Sequence, residues 1–420
     1  MSFRQRSDYA PLLVLVGEGF FSRFSFSLMG FALPLYARHL GMSLHEIGLL
    51  ISLNVAVTIA LKPAMGWAAD HFGWRRSAIA GVGLRSLVPL LLAYAWLPWQ
   101  LYGIRAVHGA AEAVRGPSVN TLLATHGDKN KAVASAFAWY ATARSAAAGL
   151  GHATSGVLLT LTAGDFSLVF VVAFALSTLP LGVVAGFMPR DRDHEPVAAK
   201  PVAEGVPSDL DAAPVNGDRA ATRPSLLPVA GLGFFMTTSA QMLHGLFPIL
   251  ATEYAGLNPA QTGIIYAAST CVVLFSGPLF GWLSDRVSRD LVLLVRGGAN
   301  IISSGVYLAA PNFAGIAVGR CVDDVGKAAF RPAWGAVMAI VSGFDRKRRA
   351  RTMSLTSLGE DVGDIVGPVL AGFLWHTWGV AALLGVRILL AAVTECYALA
   401  IGRKLHLAER QRAADQSVLP

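Results

Sequence analysis

The chain has 420 residues, 54% of them hydrophobic and only 14% charged, against roughly 25% charged residues in a soluble domain, so most of its surface faces something other than water. Its formal charge of +8 does not point to nucleic acid, which would need a soluble basic face. The basic residues instead gather in short loops between apolar runs, as a membrane topology signal does.

A membrane span needs about twenty apolar residues. Runs of that kind fall at 10–37, 44–69, 77–97, 99–126, 131–161 and 165–188, and again at 225–253, 259–284, 289–310, 311–341, 350–376 and 378–402. The expected fold is an all-α membrane protein with twelve transmembrane helices in two six-helix bundles, at 1–189 and 225–403. The first run carries Glu18 and Arg23 and lacks a small-residue cleavage site, so it reads as a retained span. Between the bundles, 190–224 is rich in Pro, Ala, Asp and Glu without an apolar period and reads as a disordered linker. The tail is 404–420. Cys271, Cys321 and Cys396 lie inside apolar runs at no metal-ligand spacing and read as core filler.

Loop charges set the orientation. One side holds Arg4, Arg6, Arg75, Arg76, Lys129, Lys131 and the linker, then Arg286, Arg289, the run Arg346 to Arg349, and Arg403 with Lys404. The other side offers little beyond Arg38. By the positive-inside rule both termini and the linker are expected in the cytoplasm of a bacterial-type inner membrane.

The two bundles repeat at an offset of 214 to 216 residues. Pro34 matches Pro248, Gly48 matches Gly263, and GWAAD at 66–70 matches GWLSD at 281–285. Arg105 matches Arg320, Pro117 matches Pro332, and Gly151 and Gly156 match Gly367 and Gly372. An offset of half the chain implies two structurally related halves.

The segment GWAADHFGWRR at 66–76 resembles the loop between helices two and three of the major facilitator superfamily, G-x-L-x-D-R-x-G-R-[RK]. Gly66, Asp70, Gly73, Arg75 and Arg76 fit it; Ala68 and His71 depart from it. The second copy keeps Gly281, Leu283, Asp285 and Arg286. Glycine permits close helix contact. The resemblance implies a conformational latch in which Asp70 and Asp285 find partners only while that face is closed. IRAVHGAAEAVRG at 104–116 is similar to the fourth-helix pattern R-x-x-Q-G-x-G, with His108 in place of Gln. The fifth-helix antiporter motif is imperfect, because Gly151 is followed by His152 rather than Pro, and a Gly367-Pro368 pair falls on the eleventh helix instead. The resemblance implies alternating access between the halves, with helices one, four, seven and ten lining a central cavity. The opening DYAPLLVLVGEGFFSRFSF and the stretch GEDVGDIVGP are also similar to facilitator-type proteins of magnetosome membranes, associated with iron supply.

Ionisable residues at membrane depth are expensive and are functional candidates by default. Glu18 and Arg23 lie on the first span, and Arg105, His108, Glu112 and Arg115 share one face of the fourth. Arg144 is midway along the fifth. Arg320, Asp323, Asp324, Lys327 and Arg331 share a broad face of the tenth, and Glu360, Asp361 and Asp364 lie midway along the eleventh; His244 is placed on the seventh. The pairs Arg320–Asp324 and Asp323–Lys327, at i,i+4 spacing, could simply neutralise each other. Arg23, Arg115, Arg144, Lys327 and Arg331 would suit a carboxylate or phosphate. Glu18, Glu112, Asp324, Glu360, Asp361 and Asp364, with His108, would suit a hard cation or a proton relay, and no metal site is singled out. A coupling proton is expected at Glu18, Glu112 or Asp361.

No P-loop is present, and no HExxH or GxSxG sits at a helix end. The expectation is a proton-coupled secondary transporter of a small polar or ionic solute, not an enzyme, monomeric and without a cofactor, with iron or another metal cation as one cargo. The competing readings are an organic-anion or drug/proton antiporter, and a non-transporting scaffold or receptor.

Overall fold

A computed structural model of the protein describes residues 3–129, 133–187, 226–286, 289–343 and 349–417. The linker 190–224, Lys131 and the basic residues Arg346 to Arg348 lie outside them. The first half consists of α1 (Phe3–His39), α2 (Leu44–Phe72), α3 (Trp74–Ala93), α4 (Pro98–Lys129), α5 (Val133–Leu161) and α6 (Phe166–Phe187). The second consists of α7 (Leu226–Gln241), the short α8 (Phe247–Ile249) with a π-helical turn (Leu250–Tyr254), α9 (Pro259–Arg286), α10 (Arg289–Ala309), α11 (Phe313–Gly343) and α12 (Arg349–Ser417).

Hydropathy dictates the passes. In α12 the apolar stretch Thr356–Ile401 is 46 residues long. At about 1.5 Å per residue this is twice the thickness of a bilayer core. Gly379, with φ 81°, breaks α12 into two passes at a conformation that glycine alone adopts freely. The expected runs 350–376 and 378–402 flank that break. The helix then continues to Ser417, through most of the region expected as a separate tail.

The run 225–253 is not one helix. The chain turns at 242–246 before α8, because Pro248 cannot donate to the helical ladder and Gly245 is pressed against the first half. A Cβ on Gly245 would lie 3.1 Å from Ile51 Cγ1. His244, expected on the seventh helix, sits in this turn and is exposed. The cysteines are not core filler either: Cys271 and Cys396 are exposed and Cys321 is half-buried. An apolar run facing lipid needs no interior, so hydropathy alone did not separate the two.

Two aromatic belts mark the bilayer edges. Trp67 and Trp282 are exposed at the end of the molecule where the linker attaches, and Trp96, Trp99 and Trp378 at the opposite end. Caps start the helices at the opposite face. Ser43 and Glu46 form a reciprocal capping box on α2, and Asn312 accepts from Gly315 N–H at 3.0 Å on α11.

At that opposite face the halves pack tightly. A Cβ on Gly372 would lie 3.2 Å from Gly48 Cα, and one on Gly156 would lie 3.1 Å from Gly263 Cα. These are the glycines that match in the repeat, so the two crossings, α2 with α12 and α5 with α9, are related by the internal symmetry. One continuous apolar cluster spans the junction, with Phe31, Ile47 and Leu50 from the first half and Leu243, Phe247 and Tyr266 from the second. Polar ties reinforce it: Ser52 donates to Ile365 O at 2.6 Å, Ala260 N–H to Thr160 Oγ1 at 2.9 Å, and Arg38 pairs with Glu253 at 2.8 Å. At the linker face, by contrast, Gly66 and Gly281 have nothing within 4 Å of a Cβ position. Among the described residues the close contacts between the halves therefore gather at the opposite face, and these two glycines make none at the linker face.

Candidate central site

In the first half, α1 and α4 face each other through a buried ion pair. Arg115 donates to Glu18 from Nε at 2.8 Å and from Nη2 at 3.0 Å, and the two side chains are 2% and 0% exposed. Such bidentate geometry is what a desolvated arginine–carboxylate pair needs to offset its burial. Tyr140 of α5 accepts from Arg115 Nη2 at 3.0 Å and from Arg144 at 3.1 Å. Glu112 is held more loosely, 3.3 Å from Arg115 and 3.4 Å from Arg85, and its side chain is 31% exposed. Arg85 also donates to Ser22 at 2.9 Å. Arg23 and Arg85 each lie over the Phe26 ring, 5.0 and 5.1 Å from its centroid.

Arg105 is satisfied by backbone: Nε and Nη2 donate to Leu50 O and Ile51 O, each at 3.3 Å. Its Nη1 lies 3.1 Å from His108 Nδ1. Arginine only donates, so His108 Nδ1 is the acceptor and its proton sits on Nε2. His108, Arg85, Ser22 and Ser177 border a cavity of about 10 Å³, room for one water.

In the second half, Asp323 of α11 is the hub. Arg387 on the second pass of α12 reaches it at 2.6 Å, Lys327 at 2.9 Å and Arg296 of α10 at 3.5 Å. Arg387 also donates to Ser239 O at 2.9 Å, Asn300 Oδ1 at 2.8 Å and Ser304 Oγ at 2.8 Å, so one fully buried guanidinium ties four passes together. Asp324 takes Lys327 at 2.7 Å and lies 3.3 Å from Arg320. On α12, Glu360 accepts from Trp334 Nε1 at 2.5 Å and Asp364 from Gln241 at 2.6 Å. Asp361 is half-buried beside them.

Between the networks the halves meet through rings. His152 of α5 stacks on Tyr266 of α9 at 4.1 Å, and Phe31 of α1 meets the same ring at 5.9 Å. Arg320 lies 4.6 Å from the centroids of both Phe247 and Tyr266. Arg23, His244, Arg320 and Asp324 are within electrostatic range of His152. The position where the antiporter motif has proline is thus occupied by a histidine that bridges the halves.

The structure accordingly brings Glu18, Glu112, Arg115 and Arg144 into one cluster and Asp324 and Lys327 into another. Glu360, Asp361 and Asp364 form a third group on α12. The i,i+4 pairs Arg320–Asp324 and Asp323–Lys327 do form. The side chains of Arg331 and Asp285 lie outside those described. Sequence reasoning missed Arg85, Arg296 and Arg387, each a cation inside an apolar run of a third, ninth or twelfth span. The depth rule that found the others applies equally to them.

At the latch, Gly73 with φ 93° separates α2 from α3. Arg75 donates to Ala185 O at 2.8 Å, and Asp70, Arg76 and Arg286 are exposed or partly so. Among the described residues nothing lies within 4 Å of a Cβ position on Gly66, so the close contact expected there is not formed.

Comparisons with known proteins fit this architecture. The chain is 25% identical over 370 residues to the multidrug resistance protein MdtG of Proteus mirabilis, covering 85% of this chain and 87% of that one. It is 26% identical over 414 residues to MdtG of Yersinia enterocolitica, covering 93% of each. Among solved structures it resembles tetrameric PepTSo2 (TM-score 0.72, 16% identity, 96% of this chain and 100% of that chain). A bacterial homologue of the lysosomal transporter Spinster, in an inward-facing and occupied conformation, aligns with TM-score 0.70 and 16% identity over 98% of this chain and 97% of that one. The family model of the Major Facilitator Superfamily matches residues 18–228 and 229–420, and the chain belongs to that superfamily of integral membrane transporters.

Proposed function

We propose that this carrier exports amphipathic organic solutes in exchange for protons, with the linker face toward the cytoplasm. The observation that carries the reading is the ring-lined junction between the halves, where Phe31, His152, Tyr266 and Phe247 offer an apolar, polarisable surface beside fixed charges. Sites for drug-sized molecules combine such surfaces with a few polar groups. The relatives named for multidrug resistance, aligned along nearly the whole chain, support it. The working unit is a single chain, since one chain's helices supply the whole junction.

The coupling proton is assigned to Glu112. Glu18 is locked in a bidentate pair with Arg115, whereas Glu112 has longer contacts and partial exposure. In the cycle, protonating Glu112 would release Arg85 and Arg115 and favour opening of the opposite face. The iron reading has weaker support. Among the described residues no three His, Cys, Asp or Glu side chains converge as a metal cage would, and the carboxylates on α12 are shared out to Trp334 and Gln241.

The test is purified protein in liposomes under an imposed pH gradient, offered an aromatic amphipathic dye and, separately, ferrous iron. Gradient-dependent dye movement is expected, reduced at least tenfold by Glu112→Gln. Iron movement without dye movement would restore the metal reading, and no movement of either would favour a scaffold.

A further inference from the structure

Arg105 and Arg320 occupy the same register of the internal repeat, yet their guanidiniums are treated differently. Arg105 has an acceptor at each of its three nitrogens: two carbonyl oxygens of α2 and His108 Nδ1 accept from it. Arg320 is as deeply buried, with its side chain 5% exposed, but its Nε and Nη1 make no hydrogen bond. Asp324 Oδ2 is 3.3 Å from Nε without hydrogen-bonding alignment, and Asp324 is already engaged by Lys327 at 2.7 Å. The rings of Phe247 and Tyr266, packed edge to face on each other at 5.2 Å, both lie against the guanidinium. Rings stabilise its charge but do not accept its in-plane N–H groups. Nearby, the hydroxyl of fully buried Tyr307 also lacks a partner. Its ring packs 6.1 Å from Phe247, and it lies within electrostatic range of Arg320.

Buried donors without acceptors are rare and need an explanation. A guanidinium that keeps N–H groups without acceptors beside two aromatic rings has donors left to give an oxyanion. The local charge agrees. Among the described residues four cations, Arg296, Arg320, Lys327 and Arg387, stand around Asp323 and Asp324, two more than these two carboxylates.

We propose that Arg320, assisted by the Tyr307 hydroxyl, binds the oxyanion group of the cargo, a carboxylate or phosphate carried on an aromatic or apolar body that lies against Phe247 and Tyr266. The site is sealed in the present conformation, since Phe247 and Tyr266 belong to the apolar closure of the opposite face, and it becomes accessible when that closure opens. This rests on the carrier reading above and narrows its cargo to organic anions.

The experiment uses the full chain and three matched probes: 1-naphthoate, 1-naphthyl phosphate and the neutral 1-naphthamide. Binding is followed by thermal stabilisation in detergent and transport in liposomes. Wild type is expected to bind and move at least one anion better than the amide. Arg320→Gln should weaken anion binding and transport at least tenfold while changing amide transport less than twofold. Arg320→Lys, which keeps the charge but not the guanidinium, should recover only part of the loss, and Tyr307→Phe should cost about two- to fivefold for the anions. The two anions distinguish carboxylate from phosphate. Equal loss for all three probes, or a ligand-free melting temperature lowered to match, would make Arg320 structural and overturn the proposal. Amide movement with no anion binding would overturn it while leaving the carrier reading intact. Anion binding abolished by Arg320→Gln, with nothing transported, would uphold the site and reject the carrier.

Discussion

The two halves bury similar numbers of charges but connect them by different logic. In the first half the central contact is nearly one-to-one: Glu18 depends on Arg115, with Tyr140 only at 3.5 Å as a further donor. In the second, Asp323 is shared by Arg387, Lys327 and Arg296. A paired site is fragile, because removing one member strands the other in a low-dielectric interior. A shared site is redundant, because each ion keeps partners after a loss. The comparison suggests that the first half is built to change its protonation or pairing, and the second to stay assembled while it presents Arg320 and Lys327.

The largest expected effect comes from breaking the one-to-one pair. Arg115→Ala leaves a fully buried carboxylate with one distant hydroxyl, and should cost about 3–5 kcal/mol in unfolding free energy. Replacing both partners, Glu18→Gln with Arg115→Met, should cost markedly less than the sum of the single changes, since no ion is stranded. Equilibrium unfolding in mixed micelles reads all three. Additive costs would mean that the pair does not act as a unit.

A smaller effect is expected in the second half. In Lys327→Ala, Asp323 keeps Arg387 at 2.6 Å and Asp324 keeps Arg320 nearby. The lysine side chain is also 28% exposed, so the loss should be about 1 kcal/mol, close to that of a single hydrogen bond. If Lys327→Ala destabilised as much as Arg115→Ala, the redundancy read from the distances would be wrong.

Much of this was legible in the sequence because two rules act locally. Apolar run length fixed the passes, and the half-chain repeat marked Gly48, Gly156, Gly263 and Gly372, which the structure presses together at the two symmetric crossings. Intramembrane charge marked Glu18, Glu112, Arg115, Asp324 and Lys327. What could not be read was partnership. Nothing in sequence spacing says that Arg387, 64 residues from Asp323, is its nearest cation, or that Arg105 is satisfied by carbonyls while its repeat mate Arg320 is not. The break between α7 and α8 was hidden for a related reason: the run 225–253 is long enough for one span despite Pro248, and packing of Gly245 against Ile51 shows where the helix yields.

The smallest effect concerns the tie across the comparison itself. Arg38 of the first half and Glu253 of the second form a two-point contact, at 2.8 and 3.2 Å, on the closed face. Their side chains are 38% and 40% exposed, so solvent screening limits the pair to about 0.2–1 kcal/mol. That is too little to hold the halves together, but it is enough to shift a two-state balance by about 1.4- to fivefold. The tie exists only while the opposite face is closed, so Arg38→Ala should move the population toward opening at that face and leave overall stability almost unchanged. Accessibility of a cysteine introduced within the seal, at fully buried Ala32, to a membrane-impermeant thiol reagent would rise by that factor. The charge-swapped pair, Arg38→Glu with Glu253→Arg, should return it to the wild-type value. Unchanged accessibility in Arg38→Ala would show that the glycine crossings alone set the closed state, and that the two halves need no electrostatic tie to find each other.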